Sequence, residues 1–119
     1  MNDIAQKSAV ITGVSTGIGR AIAEALLGAG WRVFGSVCKE KDADPIRSAY
    51  GDFTPLLFDV TDRQAIADAA AHVREKLAGR TLNALINNAG IALGGPLRYL
   101  PPEELRKQFE VNVFGVLNV

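Results

Sequence analysis

An apolar β-branched run, Ala9-Val10-Ile11, passes directly into Thr12-Gly13-Val14-Ser15-Thr16-Gly17-Ile18-Gly19, and an amphipathic stretch follows. This strand, glycine turn and helix in succession constrain the fold of the 119-residue chain more than any other feature. Gly13 permits a tight turn out of the strand, Gly17 lets backbone N–H groups approach an anion, and Gly19 lets the helix pack closely on a sheet. A phosphate would then sit at the positive end of the helix dipole. The spacing is Gly-x-x-x-Gly-x-Gly, which departs from the general Gly-x-Gly-x-x-Gly dinucleotide pattern.

Beyond this junction, short apolar runs alternate with longer helical periods, which predicts βαβ units and a parallel sheet. Strands are expected at Ser8 to Thr12, Trp31 to Val37, Thr54 to Phe58 and Leu82 to Ile86. The first helix carries Ile18, Ile22, Ala25, Leu26 and Ala29 at the spacing of one buried face, and Gly28 or Gly30 ends it. A short helix is expected over Pro45 to Tyr50. Thr61-Asp62-Arg63-Gln64 has the form of a capping box, with Thr61 as the cap. The helix it opens should bury Ile66, Ala70, Val73 and Leu77, with Gly79 as its stop. Gly90 to Pro102 reads as a linker. The last helix, from about Glu103, should bury Leu105, Phe109 and Val116 on one stripe, which also carries Asn112. A strand is the other reading of the β-branched stretch Val111 to Val119.

Acidic and basic residues balance at 13 each, so no field draws the chain to nucleic acid or to an anionic membrane. Cys38, the only cysteine, excludes an internal disulfide and suits a reducing compartment. With neither a signal-peptide pattern nor a long apolar run, a soluble cytoplasmic chain is the expectation. His72 has no partner at metal-ligand spacing and reads as a surface residue; no metal site is expected. No serine sits in a nucleophile-elbow pattern.

Three further motifs occur in order: Asp59-Val60 at the end of the third strand, Asn87-Asn88-Ala89-Gly90 at the end of the fourth, and Asn112 in the last helix. Together with Thr12 to Gly19 they resemble the short-chain dehydrogenase/reductase family over essentially the whole chain. The resemblance implies a Rossmann-type, doubly wound parallel sheet of order 3-2-1-4 in a three-layer αβα arrangement, here a single dinucleotide-binding domain over 1–119. It implies that the backbone around Ser15, Thr16, Gly17, Ile18 and Gly19 holds the phosphates of a nicotinamide dinucleotide, with Gly13 turning the chain into the same cofactor site. Asp59 would accept from the adenine amino group, and Val60 would close over the ring. Asn88, Ala89 and Gly90 would line the ribose, and Asn87 would tie the fourth strand to its neighbours. Asn112 matches the family's active-site asparagine. Each polar residue also has a plainer reading: Asp59 as a helix cap, Asn87 and Asn88 as turn residues, Asn112 as an amide bonded to backbone.

An NAD enzyme would place an acid about 20 residues beyond the glycine turn to bond both ribose hydroxyls. The second strand instead ends Gly35-Ser36-Val37-Cys38-Lys39, with no acid before Glu40. A 2′-phosphate is not repelled there and Lys39 attracts it, so NADP is preferred over NAD. Cys38 occupies the position where NADP members of the family often carry Arg, and it also reads as an ordinary strand-end residue. The family's proton donor is a Tyr-x-x-x-Lys pair, but four residues beyond Tyr50 and Tyr99 stand Thr54 and Glu103. The expectation is therefore the cofactor-binding half of an oxidoreductase whose small-molecule substrate is bound in a longer form. This half should be inactive by itself and should self-associate through its open sheet edge and apolar last helix. A nucleotide-binding module without catalysis, or a remnant without ligand, are the other readings.

Overall fold

The computed structural model describes residues 5–119. Its elements run β1 (Ser8–Ile11), α1 (Gly17–Gly28), β2 (Arg32–Val37), a 3-10 turn (Glu40–Ala43), α2 (Asp44–Ala49), β3 (Phe53–Leu57), α3 (Arg63–Leu77) and β4 (Ala84–Ile86). A 3-10 turn (Leu97–Tyr99) then leads to α4 (Pro102–Phe109), which passes through a π turn (Glu110–Phe114) into α5 (Gly115–Asn118). The strands form one parallel sheet in the order β3-β2-β1-β4. No helix among the described residues is long and apolar enough to cross a membrane.

The pleat explains why the strands are apolar at successive positions. In parallel register Val10 pairs with Phe34 and Leu85, while Ala9 pairs with Val33 and Ala84. Alternate residues face opposite sides. Ile11, Val33, Val37 and Phe53 therefore join Ala23, Leu27 and Ile46 in a core under α1 and α2. Val10, Phe34 and Leu56 join Ile66, Val73 and Leu77 under α3. Phe34 is fully buried, and each such side chain contributes about 1.5–3 kcal/mol. A sheet covered on both faces needs this pattern, and the helices supply the outer layers. At the edge, β4 is short and Leu85 stays half-exposed.

Several local expectations shift. The face that α1 buries is Gly19, Ala23 and Leu27, flanked by Ile22 and Leu26. Ala25 and Ala29 are exposed, and Ile18 is 74% exposed. Gly30 is the residue that takes the left-handed conformation after the helix (φ +89°). Asp62, rather than Thr61, caps α3, accepting the Ala65 N–H at 3.0 Å. Gln64 turns to Asp68 instead of reaching back. Ala78 is already left-handed (φ 51°), so α3 ends a residue before Gly79. Ala70 is half-buried.

The last helix departs furthest from expectation. Leu105, Phe109 and Val116 are 39%, 53% and 40% exposed, since no element among the described residues covers their side. Val111 and Val119 pack against the α3 core instead, and Gly115 is the buried residue of the segment. A Cβ on Gly115 would lie 2.6 Å from Val60 Cγ2, so this contact requires glycine.

Candidate functional site: a cavity at the carboxyl ends of the strands

Parallel β1 ends at Ile11, and the chain turns at Gly13, whose φ of +72° suits glycine. The Gly13 N–H donates to Ser36 Oγ at 2.9 Å, and the Val14 N–H donates to the Ser36 carbonyl at 3.0 Å. The turn is thus pinned to β2. On its other side it is pinned to β4: Thr12 Oγ1 accepts the N–H groups of Asn88 (3.0 Å) and Ala89 (2.9 Å). Asn88 Nδ2 returns two bonds, to the carbonyls of Thr12 (3.1 Å) and Gly13 (3.0 Å). A Cβ on Gly19 would overlap the Gly13 carbonyl oxygen and Asn88 Nδ2, so only glycine lets α1 start this close to the turn.

The outcome is a preset helix N-terminus. Thr16 stands at the N-cap without a side-chain capping bond, and the first turn of α1 carries no acid. Among the described residues its leading N–H groups have no side-chain acceptor, which is the condition for receiving an anion. A cavity of about 530 Å³ opens beside them. Gly13, Ser15, Thr16 and Ile18 line it from the turn, and Cys38 from the tip of β2. Asp59 and Val60 line it from beyond β3, and Asn88, Ala89 and Gly90 from beyond β4. Ten of the cofactor residues expected from sequence thus meet at one cavity. Gly17 and Gly19 shape the backbone behind it, and Lys39 is exposed outside its lining. The free N–H groups, the uncapped acid-free helix start and the Cβ-free approach at Gly19 fit a phosphate-bearing dinucleotide. The cavity volume falls within the usual range for ligand sites.

Asp59 does not cap α3. Its Oδ1 accepts the N–H and the hydroxyl of Thr61, at 2.9 and 2.8 Å, which orients the carboxylate at the rim. Partial burial, then the negative charge of Asp59 and that of Asp42, push the Cys38 thiol above its ordinary range. Asn87 is exposed and its side chain enters none of the hydrogen bonds among the described residues; the asparagine side chain that ties the end of β4 to Thr12 and Gly13 is that of Asn88. Asn112 is exposed in the π turn, where its amide pairs both ways with Ile91: Oδ1 accepts the N–H at 2.9 Å and Nδ2 donates to the carbonyl at 2.7 Å. It lies behind Gly90 rather than in the cavity lining. His72 sits half-buried on α3, away from the cavity.

Sequence reasoning missed Thr12 and Ser36, the two hydroxyls that hold the turn. Their signal was available: each is a polar residue inside an apolar strand run, and each is buried. It also missed Ile91, Lys107 and Val111, which line the cavity from the β4–α4 side.

Parallel strands ordered 3-2-1-4, wrapped by helices on both faces with a glycine turn entering α1 at their carboxyl ends, define a Rossmann-type doubly wound α/β protein. Residues 7–119 match the short chain dehydrogenase family model, and the chain belongs to that family. It is 48% identical over 108 residues to an NADPH-dependent 3-dehydrocapnine reductase of Ornithobacterium rhinotracheale, a match covering 90% of this chain and 38% of that protein. It is 32% identical over 112 residues to a serine 3-dehydrogenase of Rhizobium radiobacter, covering 92% of this chain and 44% of the relative. A short-chain dehydrogenase from Streptomyces avermitilis superposes with a TM-score of 0.88 at 36% identity, over 96% of this chain and 42% of that one. An NADPH-bound carbonyl reductase from chicken fatty liver superposes at 0.86 with 29% identity, over 97% and 49%. The chain thus spans less than half the length of these relatives.

Proposed function

We propose that residues 1–119 are one dinucleotide-binding unit of an NADP(H)-dependent oxidoreductase acting on a small carbonyl or alcohol. The observation that carries this reading is the convergence of the free α1 amides, Asp59 and Asn88–Gly90 on one cavity. The pyrophosphate rests on the backbone from Ser15 to Gly19. The adenine amino group donates to Asp59, Val60 covers the ring, and Asn88, Ala89 and Gly90 border the ribose. When bound, the nicotinamide supplies hydride exchange with the substrate. Asn112 serves the active site by fixing Ile91, the residue that follows this ribose wall. A π turn at Asn112 supports a functional position, because such turns recur at functional sites.

NADP is preferred because Cys38 and Lys39 bring no carboxylate to the tip of β2, and the NADPH-dependent reductase relative supports the same choice. Calorimetric titration tests it: NADPH binds more tightly than NADH. In Cys38→Asp, like charges oppose the 2′-phosphate, and NADPH weakens by at least about tenfold while NADH does not. Tighter binding of NADH by the unaltered chain would reverse the assignment.

The 119 residues include no Tyr-x-x-x-Lys pair, so the unit binds cofactor without turning over. NADPH oxidation by the purified chain would contradict that. The exposed Phe109, Phe114 and Leu117 support self-association through the α4–α5 side, which sedimentation equilibrium reads directly. A monomer at high concentration would oppose it.

A further inference from the structure

The α4 wall of the cavity carries a charge that no ion pair among the described residues uses. Among the lining residues Lys107 is the one cation and Asp59 the one anion. Asp59 is engaged by Thr61. Lys107 takes part in none of the ion pairs among the described residues, although Glu103 and Glu110 stand four before and three after it in the chain. Its backbone is held in place. Gln108 Nε2 donates to the Leu93 carbonyl at 3.3 Å, and Asn112 grips Ile91 from one turn further on. Lys107 is therefore rooted at a fixed point of the rim, with an ammonium free to move on a flexible stem.

The α1 wall offers an anion only the partial charges of a helix terminus, about half an elementary charge. The bridge of a dinucleotide brings two phosphates. A lysine serves such a group as a mobile point charge. We propose that Lys107 is a phosphate-binding residue of this cavity, its ammonium pairing with the pyrophosphate of the bound dinucleotide from the α4 side. The proposal rests on the reading of the cavity as a dinucleotide site. It is separate from the β2 tip, where Cys38 and Lys39 would meet a 2′-phosphate.

Calorimetric titration of the full chain with NADPH and with NADH, at low and at high salt, provides the test. Lys107→Gln weakens both cofactors by the same factor, about three- to tenfold at low salt. The difference shrinks at 1 M salt, about, where the screening length falls to ~3 Å. Lys107→Arg binds within about twofold of the unaltered chain, as does Arg106→Gln, whose side chain lies outside the cavity lining. Unchanged binding by Lys107→Gln overturns the proposal. So does a loss that persists at high salt, which marks a structural effect, or a loss confined to NADPH, which moves the ammonium to the 2′-phosphate. If the unaltered chain binds neither cofactor, the dinucleotide reading itself fails, an outcome distinct from indifference to Lys107.

Discussion

Replacing Thr12 by Val removes one oxygen and keeps the shape of the side chain. That oxygen is 1% exposed with its residue and accepts two backbone N–H groups, from Asn88 at 3.0 Å and Ala89 at 2.9 Å. A buried donor that loses its acceptor costs about 1–3 kcal/mol. Asn88 and Ala89 are half-buried, so water recovers part of this, and the working figure for the pair is about 2–3 kcal/mol. For a chain of this length total stability is on the order of 6–18 kcal/mol, so the change is a sizeable fraction. In urea, with a slope of about 1–3 kcal/mol/M, the midpoint falls by roughly 1–2 M. The turn at Gly13 loses its hold on β4 with it, and NADPH binding weakens in step. Thr12→Ser keeps the oxygen and stays within about 1 kcal/mol of the unaltered chain. Equilibrium unfolding of the three proteins decides the matter. If Thr12→Val unfolds at the unaltered midpoint, or Thr12→Ser falls as far, the hydroxyl does not organise the turn.

Other substitutions probe neighbouring parts of the same structure. Gly19→Ala sets a methyl against the Gly13 carbonyl and Asn88, costing about 1–3 kcal/mol by overpacking and reducing NADPH affinity; denaturation and calorimetry report both. Asp62→Ala removes the α3 cap and costs about 1 kcal/mol, whereas Thr61→Ala costs less, a contrast readable by thermal melting. Asp59→Asn takes away a negative charge that holds the Cys38 thiol high, so that pKa falls. More thiolate is then present at pH 8, and iodoacetamide alkylates Cys38 faster; an unchanged rate would deny the coupling.

How much of this was legible in the chain follows from which interactions are local. The junction from Ala9 to Gly19 could be read because strand, turn and helix start are each written in adjacent residues. The α3 stripe of Ile66, Val73 and Leu77 is a one-dimensional period and reads equally well. The cap of α3 does not: Thr61 and Asp62 are both able to cap, and the extended backbone at Asp62 (φ −99°, ψ 93°) selects it. Asn87 and Asn88 pose the same problem, since alternate residues leaving a strand face opposite ways and only one of them meets β1. The α4 stripe suggests a buried face because the period identifies an apolar side without saying what covers it. The π turn at Glu110–Phe114 has no compositional mark. Lys107 was hidden because its place at the cavity depends on how α4 docks against Ile91 and Leu93, a contact between segments far apart in sequence.

In the proposed function a dinucleotide's phosphates lie against the main-chain amides from Ser15 to Gly19. Amide proton–nitrogen shifts recorded while NADPH is titrated into the labelled chain probe that placement residue by residue. Saturable changes are expected to be largest at Ser15, Thr16, Gly17, Ile18 and Gly19, with further changes at Asp59 and Asn88–Gly90. Changes that leave the glycine turn untouched, or that never saturate, would contradict it.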